Sequence, residues 1–338
     1  MLFLNDSEAV RIPKLPTMPD WFVLNLEDGV ESVDKATKRL AIQRALMSGM
    51  FRHQPVCVRV NSNSVDPSEL LEDLKYVIHE DVQALLLSKT SSVAELQRCG
   101  ELVSAGEIEK KIPPGWLKFF VNIESPRGVL NANKILAASD RNAAVAFGHA
   151  DYLALSKGTN SPAGLHHAMS HIAMAGQAAN LPIIASPWLR LKDMDTLKQE
   201  ALIERQTGFT GKFVIHPKQI SAVHSIFSPT KKEIATANRI LSSNSRELQK
   251  RTGLFVGPPH QLQARNTLEL ADQIETREST TSSTTSTSLS GGGEQIEASS
   301  VFTPRYDRLR PFLSFCLSRF LVFLVVVMEF LLLKSRLD

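Results

Sequence analysis

The sequence has little cysteine, no glycine-rich dinucleotide turn and no dominant charge, and each shortage removes a class of function. Three cysteines among 338 residues cannot all pair, and Cys57, Cys99 and Cys316 have no metal-ligand spacing, so neither a disulfide framework nor a thiolate metal site is expected and a reducing compartment fits. No Gly-x-Gly-x-x-Gly occurs, which weakens the case for a doubly wound open sheet, the main competing architecture. A formal charge of +3 is too small to argue for a nucleic-acid partner. Residues 1–8 contain acids and show neither a long apolar run nor an Arg-rich amphipathic pattern, so no ordinary presequence is visible.

What is present is a repeat of short apolar runs, each closed by polar residues: 22–26, 57–60, 84–87, 119–123, 144–147, 182–185 and 213–215. Their starts are about 25 to 38 residues apart, roughly one strand-helix unit, and helix-compatible stretches such as 32–47 and 164–179 lie between them. With a short Leu-Phe-Leu run at 2–4 they make eight, the number at which a parallel sheet closes on its own side chains. The expected fold is an α/β protein, a (β/α)8 TIM barrel with a C-terminal helical extension, over residues 1–275.

Beyond residue 275 the composition changes. Residues 279–290 are almost all Ser and Thr and a Gly-Gly-Gly follows, so 276–311 reads as a flexible linker. Residues 312–333 are nearly continuous Phe, Leu and Val with Arg319 and Glu329 as the charges, long enough for a transmembrane helix and hence for membrane contact through the tail. A mispredicted terminal exon and a terminal helix that docks on a partner are the other readings of that run.

In a (β/α)8 barrel the chemistry sits where the strands end. Glu27 and Asp28 follow the first of the seven runs, Arg59 lies near the end of the second, and Lys89, Glu124 and Asp151 follow the third, fourth and fifth. Four carboxylates and two cations thus converge on one mouth. Glu124 and Asp151 suit a hard divalent ion such as Mg2+, which takes oxygen ligands and leaves positions for substrate. A metal so held would chelate and polarise a 2-oxo acid, and Arg59 would face the oxygen of a thioester enolate. For any one of these residues alone, a strand-end ion pair or a helix cap is an equal alternative.

The motifs around these residues, in order, are Leu-Glu-Asp-Gly-Val at 26–30, Val-Arg-Val-Asn at 58–61, Ile-Glu-Ser-Pro-Arg-Gly-Val at 123–129, Phe-Gly-His-Ala-Asp-Tyr at 147–152 and Gly-Phe-Thr-Gly-Lys-Phe-Val-Ile-His-Pro at 208–217. Together they resemble the citrate lyase beta-subunit-like family of the HpcH/HpaI aldolase/citrate lyase superfamily, most closely its eukaryotic mitochondrial citramalyl-CoA lyase branch. The resemblance implies a Mg2+-dependent lyase that cleaves a 3-hydroxyacyl-CoA, of citramalyl-CoA or malyl-CoA type, to acetyl-CoA and a 2-oxo acid, with related members running the reverse condensation. It implies Glu124 and Asp151 as metal ligands and Arg59 as substrate and enolate clamp. Glu27 and Asp28 would order water ligands of the metal, and Lys89 and Arg127 would hold anionic groups of substrate or CoA. A homo-oligomer, a trimer, and a mitochondrial location are expected on the same footing.

The sequence departs from that pattern in four places. Leu4 runs directly into Asn5-Asp6 where a Pro-Gly turn is usual; His149-Ala150 replaces a pair ending in Glu; the sixth of the seven runs ends Ile-Ala-Ser-Pro at 184–187 where Ile-Asp is usual. The stretch 253–264 matches both flanks of a lid whose Met-(Val or Ile)-Asp segment it lacks, so the lid is a remnant. A proton-transfer group contributes about 10² to 10⁴ in rate, so a second reading is a catalytically degenerate, membrane-tethered acyl-CoA or metabolite-binding protein. A third is an aldolase acting on a free hydroxy-oxo acid. His166, His167 and His171 lack an accompanying acid at ligand spacing and read as helical surface or core histidines; His216 reads as either a substrate contact or a turn-fixing group.

Overall fold

A computed structural model describes residues 15, 17–28, 34–52, 54–242, 256–287 and 324–327. The strands are β1 (Trp21–Asn25), β2 (Val56–Val60), β3 (Ala84–Leu87), β4 (Lys118–Ile123), β5 (Asn142–Phe147), β6 (Ile183–Ala185), β7 (Gly211–Val214) and β8 (Leu324–Val327), each parallel to its neighbours in a closed barrel. Between and after them lie α1 (Lys35–Met47), α2 (Pro67–Val77), α3 (Val93–Glu109), α4 (Pro126–Leu136), α5 (His149–Ser156), α6 (Pro162–Ala178), α7 (Met194–Thr207), α8 (Pro217–Phe227), α9 (Lys231–Ser242) and α10 (Pro258–Thr287).

The strands are legible because parallel strands covered by helices are buried on both faces and so read as unbroken apolar runs. All four residues of β3 and of β7 are buried. Helix starts are equally local. Asp66, Ser92, Ser125, Ser161 and Asp193 cap α2, α3, α4, α6 and α7 by accepting first-turn N–H groups, and Pro follows the cap in α2, α4 and α6. Helix α7 ends at Gly208, whose φ of 109° is open to glycine and turns the chain into β7.

The structure corrects two sequence expectations. The eighth strand is not shown to be 2–4, which lies outside the described residues; its place between β7 and β1 is held by Leu324–Val327, with Val325 opposite Trp21 and Phe213. That strand comes from the run read as a transmembrane helix. Three consecutive valines favour extended backbone, and the edges of β1 and β7 offer unpaired N–H and C=O groups that a parallel strand satisfies. Among the described residues no helix is long and apolar enough to cross a membrane.

The chain divides into two compact units: the barrel unit runs to Phe227 and includes β8, and α9 and α10, the C-terminal helices, belong to a unit beginning at Ser228. The second correction is that α10 continues to Thr287, into the stretch read as linker. Ser and Thr cost only a few tenths of a kcal/mol each in a helix interior, and extending an existing helix is far easier than starting one.

Candidate active site

The mouth is built from the ends of β1 to β5. Beyond β1, Leu26 donates its N–H to Arg59 O on β2 and accepts Asn61 Nδ2, both at 2.9 Å, so the Glu27-Asp28 turn is pinned to the strand that carries Arg59. Asn61 is itself fixed by Asp73 of α2, which accepts its backbone N–H and its side-chain amide at 2.8 Å each.

Around this turn the expected groups meet. Glu27 pairs with Arg59 Nη2 and with Lys89 Nζ, both at 2.6 Å, and Asp28 pairs with the same two cations at 3.2 and 2.9 Å. Arg59 Nε donates to Ser88 Oγ at 3.2 Å and its Nη2 stands 3.9 Å from Glu124 Oε2. Glu124, 3% exposed, accepts Lys89 N at 3.0 Å and Asn122 Nδ2 at 2.6 Å. Lys89 reaches this arrangement with a φ of 55°, a left-handed backbone that a non-glycine residue adopts at a cost and that gathers at functional sites.

Ligand oxygens of Asp28, Glu124 and Asp151 all lie within 4.8 Å of one another. Asp28, expected to order water, thus joins the two acids expected to hold metal. Burial pushes the Glu124 carboxyl up to about 8; the Arg59 charge pulls it down, and its hydrogen bond with Asp151 and the nearby Glu27 push it further up. Burial likewise raises Glu27 despite Arg59 and Lys89. It acts the same way on the more exposed Asp28, where contacts with Lys89, Glu27 and Arg59 outweigh it and hold that carboxyl below the usual range. Burial, the largest influence on Glu124, disfavours its charged form, and a hard divalent cation would offset that cost; with three carboxylate oxygens gathered in one place, the donor set fits Mg2+.

Arg127 stands apart, exposed on the first turn of α4 and outside both the ion pairs that join Glu27, Asp28, Arg59, Lys89 and Glu124 and the carboxylate group that adds Asp151. His216 accepts Lys218 N at 3.0 Å on Nδ1, a turn-fixing bond. His166, His167 and His171 belong to no potential metal group among the described residues. Sequence reasoning missed Asn61, Ser88 and Asn122, polar residues inside or beside apolar strands, and the packing of Gly148. A Cβ at Gly148 would meet Glu124 Oε2 at 2.6 Å, so only glycine lets the β5–α5 turn lie against that carboxylate.

The chain is similar to several known proteins. The family described as HpcH/HpaI aldolase/citrate lyase matches residues 1–217, and one described as a C-C bond lyase of the TIM-barrel fold matches 165–274. The citrate lyase subunit beta of Haemophilus influenzae is 32% identical over 248 residues, covering 72% of this chain and 84% of that protein. The mitochondrial citramalyl-CoA lyase of Homo sapiens is 29% identical over 296 residues, covering 81% and 86%. The crystal structure of protein CitE from Mycobacterium tuberculosis, in complex with magnesium, acetoacetate and coenzyme A, shares the fold with a TM-score of 0.60 at 24% identity, over 78% of this chain and 94% of that one.

Proposed function

The chain belongs to the HpcH/HpaI aldolase/citrate lyase family, and from that premise we propose that it is a Mg2+-dependent carbon-carbon lyase cleaving a citramalyl-CoA or malyl-CoA type thioester to acetyl-CoA and a 2-oxo acid. The observation that carries the reading is the meeting, at one barrel mouth, of three carboxylates within 4.8 Å and an arginine 3.9 Å from the buried one. The human relative, named for citramalyl-CoA, supports the substrate class.

Asp28, Glu124 and Asp151 would hold the metal. Bound there, Mg2+ supplies a Lewis acid for the carboxylate and keto oxygens of the 2-oxo acid half. Cleavage removes the proton of the 3-hydroxyl, breaks the bond between C2 and C3, and sends that electron pair into the thioester enolate, whose C2 then takes a proton to give acetyl-CoA. Arg59 is the cation at hand for the enolate oxygen, held in place through Ser88 and Glu27. Lys89 gives the mouth a second positive charge for anionic substrate groups, and Arg127, on the rim, is assigned to the CoA half. The same steps reversed make a condensation.

The remnant lid at 253–264 lacks the aspartate segment, which favours as a second reading an acyl-CoA-binding protein that keeps the mouth and has lost turnover. Incubating the full chain with citramalyl-CoA and with malyl-CoA and following release of pyruvate or glyoxylate separates the two. Release supports the lyase and names the acyl group; saturable Mg2+-dependent thioester binding without release supports the binding protein.

A homotrimer and a mitochondrial location are proposed on the resemblance. Leu130, Leu155 and Met174, exposed on α4, α5 and α6, are apolar side chains a second copy would cover. The human relative's mitochondrial name supports the location.

A further inference from the structure

We propose that Ser186 is the positioning residue that sets Asp151 for metal binding, by capping α5 from the neighbouring strand. The inference rests on the lyase reading in taking Asp151 as a ligand.

Five helices of the barrel carry their own side-chain caps, but α5 does not: its N-cap is Gly148, with no side-chain hydrogen bond. A capping side chain cannot be supplied there, because any Cβ would run into Glu124. The acceptor comes instead from outside the helix. Ser186 Oγ accepts the His149 N–H at 2.9 Å and donates to Phe147 O at 2.6 Å. A hydroxyl has one hydrogen to donate and lone pairs to accept, and here it uses both kinds to fasten the residues on either side of Gly148.

Ser186 directly follows β6, which pairs with β5 through Val145 and Ala146, so its hydroxyl is carried on a fixed platform and is itself 6% exposed. On the opposite side Gly148 N donates to Ile123 O at 3.0 Å, just before Glu124. The turn is therefore held from β4 and from β6, and α5 leaves it in a set direction. Asp151 lies in the first turn of α5, so the pose of that turn decides where its carboxylate meets Glu124 and Asp28. The bond takes the backbone N–H of residue 149, so it depends on the Ser186 hydroxyl and not on the His149 side chain.

Groups that orient metal ligands from behind change metal affinity by roughly 10- to 100-fold when removed. Mg2+ titrated calorimetrically into the full chain should bind Ser186→Ala about tenfold more weakly than wild type, at the low end of that range. Ser186→Thr, which keeps the hydroxyl, should bind within about threefold of wild type, the margin left for its added methyl group. Melting in chelator separates folding from metal binding, since a purely structural role lowers Tm without moving the Mg2+ affinity of folded protein. If Ser186→Ala does not fold, Ser186→Cys, with a weaker acceptor of similar size, carries the same expectation. Wild-type affinity in the folded Ala or Cys variant overturns the inference, as does a Thr variant as weak as Ala. A wild-type chain that binds no Mg2+ overturns the metal reading itself, a result distinct from equal binding by wild type and variant.

Discussion

Gly148 and Glu124 are in such close approach that the smallest side chain at 148 would stand 2.6 Å from the carboxylate oxygen. The end of β5 is thereby laid against the end of β4, and the turn carrying Asp151 is fitted to the buried acid it works with. Gly148→Ala should therefore displace Glu124 or the turn. Overpacking of this kind costs about 1–3 kcal/mol, so the variant still folds, while Mg2+ affinity falls roughly tenfold or more. Calorimetric titration beside a thermal melt checks both halves.

Arg59 spans Glu27, Asp28 and Ser88 with a planar fork that lysine cannot reproduce. Arg59→Lys should lower kcat on the thioester by about 10²-fold, the usual effect of removing a donor aimed at developing negative charge. Mg2+ affinity should change much less, because the arginine is not a ligand. Parallel rate and binding measurements test this; equal losses in both would make Arg59 a support for the acids and not an enolate clamp.

Lys212, fully buried on β7, pairs at 2.6 Å with both Glu200 and Glu204 of α7. One cation against two carboxylates leaves one negative charge in excess, and burial, opposed by the Lys212 charge, pushes the Glu204 carboxyl up to about 7 from 4.5. A carboxyl that holds its proton more tightly folded than unfolded stabilises the fold below pH 4.5, and that contribution is lost as pH rises through about 7. Glu204→Gln removes this dependence. Between pH 5.5 and 7.5 it should lose less stability than wild type, by on the order of 1 kcal/mol, in denaturant titrations at the two pH values.

Strand β8 makes the C-terminal run part of the barrel. Deleting residues 312–338 should expose the edges of β1 and β7, lower Tm by about 5 °C or more, and promote association through the open edges. An unchanged Tm, with loss only of membrane recovery on fractionation, would return that run to the anchor it resembles by length.

The seven apolar runs coincide with β1 to β7 because burial on both faces writes itself into consecutive residues, and the acids that follow them are where a parallel barrel puts its chemistry. Glu27, Asp28, Arg59, Lys89, Glu124 and Asp151 could be picked out on that rule alone. What the rule misses is partnership across the chain. Val325 opposite Trp21 is a pairing between the two ends of the sequence, and an apolar run of that length satisfies the membrane criterion as readily as the strand one. Ser186 reaches His149 across 37 residues, in an Ala-Ser-Pro sequence with no pattern of its own. Arg127 shows the converse: a strand-end cation by position, yet its place on the α4 surface leaves it outside the cluster.

The measurement that bears most directly on the central claim is citramalyl-CoA cleavage by the full chain with Mg2+ and with chelator, beside Asp151→Ala. Acetyl-CoA and pyruvate should appear in equal amounts, lost on chelation, restored by Mg2+, and reduced by at least about 10²-fold in the Asp151 variant. Cleavage that persists in chelator, or that Asp151→Ala leaves intact, would contradict a metal-dependent lyase.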